Sequence, residues 1–391
     1  MDTRFRQSPL GRVAEVIPGF AFKSEWWRDS GIPVIRIKNI LEDCTIDTSD
    51  VAHIEEAQLT SKLRKFFVED GDILIAMTGA TAGKTARFLG SKPMLVNQRV
   101  ARIVAREIDA DFLWAVLGQR EYQRILFHLA DGAAQPNMSG GQIEEMEIPH
   151  PSPEVQRKIG RISRAYDDLI GVNARRIAIP EEIARRIFDE WFVHGSDLSD
   201  APSQWEVRPL FDIARVAYGK NLPSKDLVAD GPYPVYGAAK IIGQYNEYTR
   251  QQRTLICGCR GSVGVMQITE PRCFVTNNSF AFDPLSADDF FWLFHSLRNR
   301  GLHDVVGGSA QPQITLDSIS SVELSVPPPA LRCRFQSVSA PMYDFVWSLE
   351  KQNKVLRASR DLLLPKLISG EIDLDGVVRD VPKAAKCVAA E

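Results

Sequence analysis

Cysteine is scarce in this chain of 391 residues, which contains six thiols scattered along its length. A disulfide-stabilised secreted domain carries its cysteines at much higher density, so a disulfide scaffold is excluded. No stretch approaches the ~18 to 20 uninterrupted apolar residues that a membrane span requires. The N-terminal segment 1–16 has no apolar core of a secretion signal. We therefore expect a soluble cytoplasmic protein with reduced thiols and no membrane partner.

A net positive charge is absent as well. The chain carries 47 basic and 50 acidic residues, a formal net charge of −3. Because dedicated nucleic-acid binders are often basic, the overall charge gives no support for DNA binding. Such a role would require a fold that gathers basic side chains in one place. The length and the ordinary globular composition, 44% hydrophobic and 25% charged, predict two or more folded domains.

Catalytic signatures are also missing. The sequence has no H-E-x-x-H zinc motif, no glycine-flanked serine nucleophile, and no methyltransferase or nuclease signature that can be placed. Cys257, Cys259 and Cys273 lack the fourth ligand of a structural zinc site, so we predict buried thiols there. We expect a chain that is not an enzyme by itself and that binds no metal or cofactor.

One segment approximates a phosphate-binding loop. Residues 79–85 read GATAGKT after an apolar run, but only three residues separate the two glycines where that motif has four. The related segment 260–265 has neither the lysine nor the threonine. A tight glycine turn is the favoured interpretation, and a nucleotide-binding protein is kept as an alternative.

The chain is an internal repeat. The aligned pairs are 9–16 with 209–216, 73–83 with 254–264 and 132–153 with 308–329, at offsets of 200, 181 and 176 residues. Falling offsets indicate that the second copy has shorter loops but the same order of elements. Each copy combines short β-rich runs, separated by Gly, Pro and Asn turns, with a late helical stretch. The sequence therefore predicts two copies of a mixed α/β (α+β) module.

A long helical pattern follows each module. Apolar positions recur at alternating steps of four and three, which is the pattern of helices that pair as a coiled coil. The predicted seam is Ile162, Tyr166, Leu169, Asn173, Arg176, Pro180, Ile183 and Ile187, then Val338, Met342, Phe345, Leu349, Gln352, Leu356, Ser359 and Leu363. We predict two long antiparallel helices that join the modules, with Pro180 kinking or ending the first. The alternative is that each helix packs on its own module.

These patterns divide the chain into five segments. The predicted segments are module 1 at 1–152, a helical spacer at 153–200, module 2 at 201–329, a second helical spacer at 330–375, and a disordered tail at 376–391. A helix from 162 to 187 is roughly 39 Å long at ~1.5 Å per residue.

Taken together, the chain resembles the specificity subunit of a type I restriction–modification system. The features that carry the resemblance are the two modules, the A-Q-P-N/Q motifs at 134–137 and 310–313, the proline-rich module ends and the two long helices. Segment 183–193 resembles the central conserved region of that family, and 362–372 resembles the distal one.

The resemblance implies a mechanism in which each module reads one half of a split site in double-stranded DNA. The paired helices would hold the modules at a fixed separation and dock two methyltransferase subunits, which use S-adenosylmethionine to methylate adenine. Motor–nuclease subunits that use ATP and Mg would complete the restriction complex. The chain itself would be non-catalytic. A helical scaffold that does not bind DNA is the remaining alternative.

Candidate DNA contacts are chosen by residue type at the turns of both modules. Arg and Lys suit guanine or phosphate, and Asn and Gln suit adenine. In module 1 the candidates are Lys23, Arg36, Lys38, Asn39, Lys84, Arg87, Asn97, Gln98, Arg99 and Gln135. In module 2 they are Lys225, Lys240, Arg260, Ser262, Asn277, Asn278 and Gln311. The candidates for the spacer and the subunit interface are Ile162, Leu169, Ile183, Ile187, Phe188, Trp191, Phe345, Leu349, Leu356 and Leu363.

Overall fold

The computed structural model describes residues 5–48, 50–90, 92–130, 137–195, 205–308 and 311–372. The chain divides into two compact units. Unit 1 comprises Met1–Val172 with Gln352–Glu391, and unit 2 comprises Asn173–Lys351. Each unit thus holds one module and a part of each long helix. The five-segment division stays a prediction, and the tail 376–391 lies outside the described residues.

Eleven strands lie in the described part of unit 1. They are β1 (Gln7–Pro9), β2 (Ala14–Pro18), β3 (Trp27–Arg28), β4 (Ile32–Ile35), β5 (Ala52–Ile54), β6 (Phe67–Val68), β7 (Ile73–Ala76), β8 (Thr85–Arg87), β9 (Met94–Val96), β10 (Val100–Ala105) and β11 (Glu147–Pro149). The helices are α1 (Leu10–Val13), α2 (Ala110–Leu117), α3 (Arg120–Leu129), α4 (Gly140–Glu144) and the first part of α5 (Pro153–Phe188).

The main sheet of unit 1 is antiparallel and has the order β2-β10-β7-β8. Alternate residues of a strand point to opposite faces, and strand β7 is buried on both. Ile73 and Ile75 join the core formed with α2 and α3, whereas Leu74 and Ala76 pack toward a second sheet of order β3-β5-β4-β9-β6. Burial on both faces explains the uninterrupted apolar run at this strand.

Nine strands lie among the residues that the structure describes in unit 2. They are β12 (Glu206–Pro209), β13 (Ala214–Tyr218), β14 (Tyr233–Tyr236), β15 (Ile241–Tyr245), β16 (Leu255–Gly258), β17 (Met266–Ile268), β18 (Phe274–Val275), β19 (Ser279–Pro284) and β20 (Glu323–Val326). The helices are the end of α5, then α6 (Phe290–Arg300), α7 (Leu316–Ser320) and the first part of α8 (Pro329–Ser369).

The main sheet of unit 2 repeats that of unit 1 strand for strand. Its order β13-β19-β16-β17 is again antiparallel throughout. The second sheet is smaller, with the order β15-β14-β18 in the described part of the chain, and it keeps the parallel pair that β4 and β9 form in unit 1. The repeat and the mixed α/β class are confirmed, and the shorter second copy reflects the smaller second sheet.

Both long helices run without interruption through proline. Helix α5 continues past Pro180, so the expectation that this residue ends the helix is wrong. Proline removes one backbone hydrogen bond from a helix interior. Ala184 and Phe188, one and two turns later, are buried in the core of unit 2. Packing of the segment after the proline therefore keeps it helical.

The two helices pair in antiparallel fashion, as predicted. In unit 1 the side chain of Asn353 donates to the carbonyl oxygen of Ile170 at 3.4 Å, and Arg360 pairs with Asp167. Residue numbers thus rise along α8 as they fall along α5. The matching contacts in unit 2 are Arg176 with Phe345 and Phe188 with Phe335.

At several positions of each helix the buried residue lies one position after the predicted seam residue. Leu169, Ile183 and Phe345 of the predicted seam are 53%, 41% and 40% exposed. Phe345 nevertheless meets α5, because the Arg176 guanidinium lies 5.1 Å from its ring centroid. The buried positions are Gln156, Ile159, Ser163, Asn173, Ala184 and Phe188 on α5, and Phe335, Ser339, Tyr343, Val346, Leu349, Leu364, Leu367 and Ile368 on α8.

The physical reason is that each helix packs on a module as well as on the other helix. A broad face with the natural 3.6-residue period drifts away from a strict seven-residue repeat. Both interpretations of the helical pattern therefore apply, because each helix pairs with the other helix and also packs on a module. Leu349 of the predicted seam is buried, and Phe188, a candidate for the spacer and the subunit interface, is buried as well. The partly buried members of the predicted set are Ile162, Ile187, Trp191, Leu356 and Leu363.

Candidate nucleic-acid interface

Four segments that are distant in sequence meet at one edge of the main sheet of unit 1, where β2 and β7 end and β10 and β8 begin. Backbone hydrogen bonds tie them together. Gln98 N donates to Phe20 O, Met77 N donates to Arg99 O, and Met138 N donates to Met77 O, each at 2.9 Å. We call the segments 19–20, 77–84, 97–99 and 137–138 loop edge 1.

The same arrangement recurs in unit 2. Asn277 N donates to Lys220 O at 3.1 Å, Cys259 N to Asn278 O at 2.9 Å, and Ile314 N to Cys259 O at 3.0 Å. We call the segments 219–220, 259–264, 276–278 and 313–314 loop edge 2. The short motifs that repeat along the sequence are therefore the parts that the fold brings to the same edge of each main sheet.

Close backbone approach explains the glycine that opens each edge. A Cβ atom at Gly19 would lie 2.3 Å from the carbonyl oxygen of Asn97, and one at Gly219 would lie 2.3 Å from that of Thr276. Such distances leave no room for a side chain. The glycines at the equivalent positions 19 and 219 thus allow the first segment of each edge to lie against the loop before β10 or β19.

The segment 79–85 does not have the properties of a phosphate-binding loop. The Lys84 ammonium pairs with Glu42 at 3.2 Å. The hydroxyl of Thr85 is fully buried and donates to the carbonyl oxygen of Leu117 at 3.0 Å. Because both groups are engaged within the module, neither is available for a nucleotide or its magnesium ion. The glycine-turn interpretation fits the structure.

Several predicted DNA contacts lie together at the loop edges. Gln98 and Arg99 are exposed and Asn97 is half-buried at loop edge 1. The candidates at loop edge 2 are the exposed Arg260, Ser262 and Asn278 and the half-buried Asn277. Gln311 is exposed and lies two residues before Gln313, whose Oε1 accepts from Arg260 Nε at 3.4 Å. Gln135 lies outside the described residues.

Two further candidates flank the edges. Arg36 follows Ile35, whose carbonyl oxygen accepts from Asn97 N at 2.9 Å, and its guanidinium lies 5.6 Å from the ring centroid of Trp27. Lys240 closes a turn with Gly237 in unit 2, and that turn is held to the start of β19 by a hydrogen bond from the Ser279 hydroxyl. Lys23 and Lys225 are exposed beside 3₁₀ turns, and no hydrogen bond of the described residues ties either side chain to an edge.

Two candidates are not at the surface, and the sequence-based choice of them is corrected here. Asn39 is 1% exposed. Its side chain accepts from the backbone N–H of Arg36 and donates to two backbone carbonyls, so it stabilises a turn. The Arg87 side chain is 4% exposed and pairs with Asp111. Both residue types suit DNA, but here they are used by the fold.

Ion pairs distinguish the remaining basic candidates. The pairs within unit 1 are Lys23 with Glu25 at 3.7 Å, Lys38 with Asp50 at 2.5 Å and Lys84 with Glu42 at 3.2 Å. Across the described ranges, no ion pair engages Arg36, Arg99, Lys225, Lys240 or Arg260. Arg99 and Arg260 lie on the loop edges and Arg36 and Lys240 flank them, so these four remain as uncompensated positive charges at the candidate edges.

Sequence reasoning missed Lys220. This residue is exposed on loop edge 2, and its backbone forms hydrogen bonds with Val275 and Asn277. No ion pair engages its ammonium group among the residues that the structure describes. The signal that identifies it is positional: it directly follows Gly219, as Phe20 follows Gly19 in the repeat.

Each long helix also carries an exposed apolar stripe. The exposed positions are Leu169, Val172, Ile179 and Ile183 on α5, and Phe345, Val355 and Leu362 on α8, with exposures from 40% to 71%. Their spacing follows steps of three, four or seven residues on α5, which places them on one face of that helix.

Three of the cysteines lie in the core of unit 2. Cys257, Cys259 and Cys273 are fully buried, as predicted, and burial raises the pKa of Cys257 to about 12. In the described ranges, no group of three or more His, Cys, Asp or Glu residues is placed to hold a metal ion. None of the described helices combines the length and the hydropathy needed to cross a membrane.

Comparison with known proteins gives a consistent result. A family model described as the type I restriction modification DNA specificity domain matches residues 4–181 and 202–331. The MjaIX type I restriction enzyme specificity subunit of Methanocaldococcus jannaschii is 24% identical, over 96% of this chain and 98% of that protein. The EcoprrI specificity subunit of Escherichia coli is 23% identical, over 82% of each.

The fold has a counterpart among solved structures. The S subunit of a type I restriction–modification system from M. genitalium superposes with a TM-score of 0.55 and 17% identity, over 94% of this chain and 96% of that one. The family match covers both copies of the repeat, including the segments of both loop edges. The chain therefore belongs to the family of specificity subunits of type I restriction–modification systems.

Proposed function

We propose that this chain reads a split site in double-stranded DNA, with one half bound at loop edge 1 and the other at loop edge 2. One observation carries the proposal: the same four segments meet at the same sheet edge in both units, joined by equivalent backbone hydrogen bonds. The exposed side chains differ, with Gln98 and Arg99 on one edge and Arg260 and Asn278 on the other. Equal scaffolds with unequal side chains suit two different half-sites.

The chemistry of the edges matches the groups on DNA. Arginine donates two hydrogen bonds to guanine O6 and N7, and Asn or Gln bonds the N6 and N7 edge of adenine. Arg99 and Arg260 suit the first role, and Gln98 and Asn278 suit the second. The unpaired cations Arg36, Lys220, Lys225 and Lys240 suit phosphates. A net charge of −3 is compatible with this role because the free positive charge is local.

The exposed stripes of α5 and α8 support docking of two methyltransferase subunits, one on each helix. In this proposal the paired helices fix the gap between the two half-sites. The methyltransferase subunits bind S-adenosylmethionine, and motor–nuclease subunits bind ATP and Mg, while this chain binds none of these and catalyses nothing. The complex acts in the cytoplasm.

The test is single-molecule mapping of methylated adenine in source DNA, with the gene for this chain intact or deleted. We expect a split motif with a fixed gap that vanishes on deletion. Gln98→Ala with Arg99→Ala then alters one half of the motif, and Arg260→Ala with Asn278→Ala alters the other. Lys38→Ala is the matched control because its ammonium is already paired with Asp50.

Two results contradict the proposal. A split motif that persists unchanged after deletion assigns the reading to another chain. Variants of loop edge 1 that weaken methylation equally at every sequence indicate a scaffold that does not read bases.

A further inference from the structure

A buried ion pair joins the two long helices in unit 1. Arg360 Nη1 of α8 lies 2.8 Å from Asp167 Oδ1 of α5, and the two side chains are only 14% and 9% exposed. The other carboxylate oxygen, Oδ2, accepts from the indole N–H of Trp114 at 2.6 Å. Both oxygens of Asp167 are therefore used, one by the partner helix and one by α2 of the module.

The repeat places uncharged residues at the two corresponding positions of unit 2. At the offset of 176 residues that relates the helices, Asp167 corresponds to Tyr343 and Arg360 corresponds to Ala184. Tyr343 is 5% exposed and its hydroxyl lies 3.0 Å from His295 Nε2. Ala184 is fully buried. The two junctions are thus equivalent in the repeat but different in chemistry.

An internal repeat permits a second way of pairing. The first part of α5 packs against the last part of α8, and the last part of α5 is the repeat equivalent of that segment. In a second copy of the chain, α5 is therefore an alternative partner for α5, and α8 for α8. That pairing places Asp167 opposite Ala184 and Arg360 opposite Tyr343.

The mismatch acts mainly on Asp167. Arg360 keeps a neighbouring partner in any pairing, because Asp361 lies 3.0 Å away and is half exposed. Asp167 keeps only the Trp114 N–H and has no counter-charge. A buried charge that loses its partner is heavily penalised, whereas exchanging apolar side chains of similar volume along a seam is tolerated far better.

We propose that the network of Asp167, Arg360 and Trp114 selects the helix partner. It accepts the opposite half of this chain and rejects the same half of a second copy. The selection goes beyond the proposed function and does not depend on DNA reading. Where that function holds, the consequence is that every molecule carries one module of each kind and reads an asymmetric site.

The test removes the covalent tether that would otherwise favour pairing within one chain. The full chain receives a protease site within 196–204 and is cleaved after folding, so that all residues remain present. Native mass spectrometry after prolonged incubation then measures which fragments pair. For the unaltered sequence we expect one N-terminal fragment with one C-terminal fragment and no pairs of identical fragments.

The decisive variant gives unit 1 the residues of unit 2, Asp167→Tyr with Arg360→Ala. We expect pairs of identical fragments to rise by ~100-fold or more relative to the mixed pair, because the cost of an unpaired buried charge is removed. The control is Asp43→Ala with Arg357→Ala, which removes an exposed ion pair to the same helix at 3.0 Å. It is expected to leave the pairing exclusive.

Pairs of identical fragments from the unaltered sequence overturn the proposal, as does a decisive variant that stays exclusively mixed. If that variant does not remain folded, Asp167→Asn with Arg360→Gln preserves the side-chain sizes and removes both charges. Exclusive mixed pairing in this second variant equally overturns the proposal. Loss of DNA binding in any of these chains bears on the proposed function and leaves the pairing result intact.

Discussion

Units 1 and 2 build the same module and fasten it to the same two helices, but with different chemistry. Unit 1 uses the charged pair Asp167 and Arg360. Unit 2 uses rings: Phe335 lies with its centroid 5.2 Å from Phe192, 5.7 Å from His295 and 5.9 Å from Phe188. The backbone hydrogen bonds that join the segments of each loop edge are equivalent in the two units. Main-chain geometry is thus shared by the two copies, and side-chain chemistry distinguishes them.

The largest difference between the units should follow from removing the central ring of unit 2. Phe335→Ala deletes a fully buried side chain that contacts several other rings, and we expect a loss of about 4 kcal/mol of unfolding free energy. The matched variant is Ile159→Ala, the repeat equivalent in unit 1, at about 3 kcal/mol. Chemical denaturation measures both. A larger loss for Ile159→Ala would show that the ring cluster is not the main anchor of unit 2.

Asp167→Ala tests the polar junction of unit 1. It leaves Arg360 without its buried partner and Trp114 without an acceptor, so we expect a loss of about 3 kcal/mol. Its repeat equivalent Tyr343→Phe removes one neutral hydrogen bond to His295 and should cost about 1 kcal/mol. Chemical denaturation curves of the two variants measure both losses of unfolding free energy. Equal losses would mean that the charge is as dispensable as the hydroxyl.

Acid should weaken unit 2 through His295, which is buried in its core. Burial lowers the pKa of His295 to about 3, from 6.5 in the unfolded chain. The folded state needs the neutral ring, so its contribution is complete above pH 6.5 and is lost as the pH falls toward 3. Over this range the unfolding free energy falls by up to ~1.4 kcal/mol for each unit by which the pH is lowered.

The measurement is the unfolding free energy at pH 7 and at pH 5, compared with that of His295→Asn. We expect the unaltered chain to lose ~2 kcal/mol more than the variant over this interval. An identical pH dependence of the two proteins would show that His295 does not titrate differently in the folded state.

The smallest expected effect contrasts paired and unpaired lysines of the two modules. Lys240→Ala in unit 2 removes an uncompensated charge and should lower the slope of log K against log salt by ~0.9 for a DNA contact. Lys38→Ala in unit 1 removes a lysine that Asp50 already neutralises, and the slope should change little. DNA-binding titrations across salt concentrations measure both. If Lys38→Ala changes this slope more than Lys240→Ala does, then Lys38 rather than Lys240 contacts DNA phosphate.

The candidate site was only partly predictable from residue types. Gln98, Arg99, Arg260 and Asn278 follow from polar residues at turns of the repeat, and the structure places them together at equivalent edges. Residue type alone did not identify Lys220.

Burial and ion pairing were not predictable in the same way. Arg87 and its partner Asp111 are 24 residues apart in sequence. Lys84 and Glu42 are 42 residues apart. No local sequence pattern shows whether a basic side chain forms an ion pair with such a distant acid. From the sequence alone, paired and unpaired basic residues were therefore equally good candidates for DNA contacts.

By itself, the sequence determined the two modules, their mixed α/β class, the pair of antiparallel helices and the family. These features depend on patterns that repeat along the chain and are visible without knowing any contact. Tertiary structure alone decided which face of each helix is buried, since a module and a second helix share that face. It also decided that four distant segments form one edge, and that a charge in unit 1 stands where unit 2 has a ring. Such properties depend on side chains that meet only after folding.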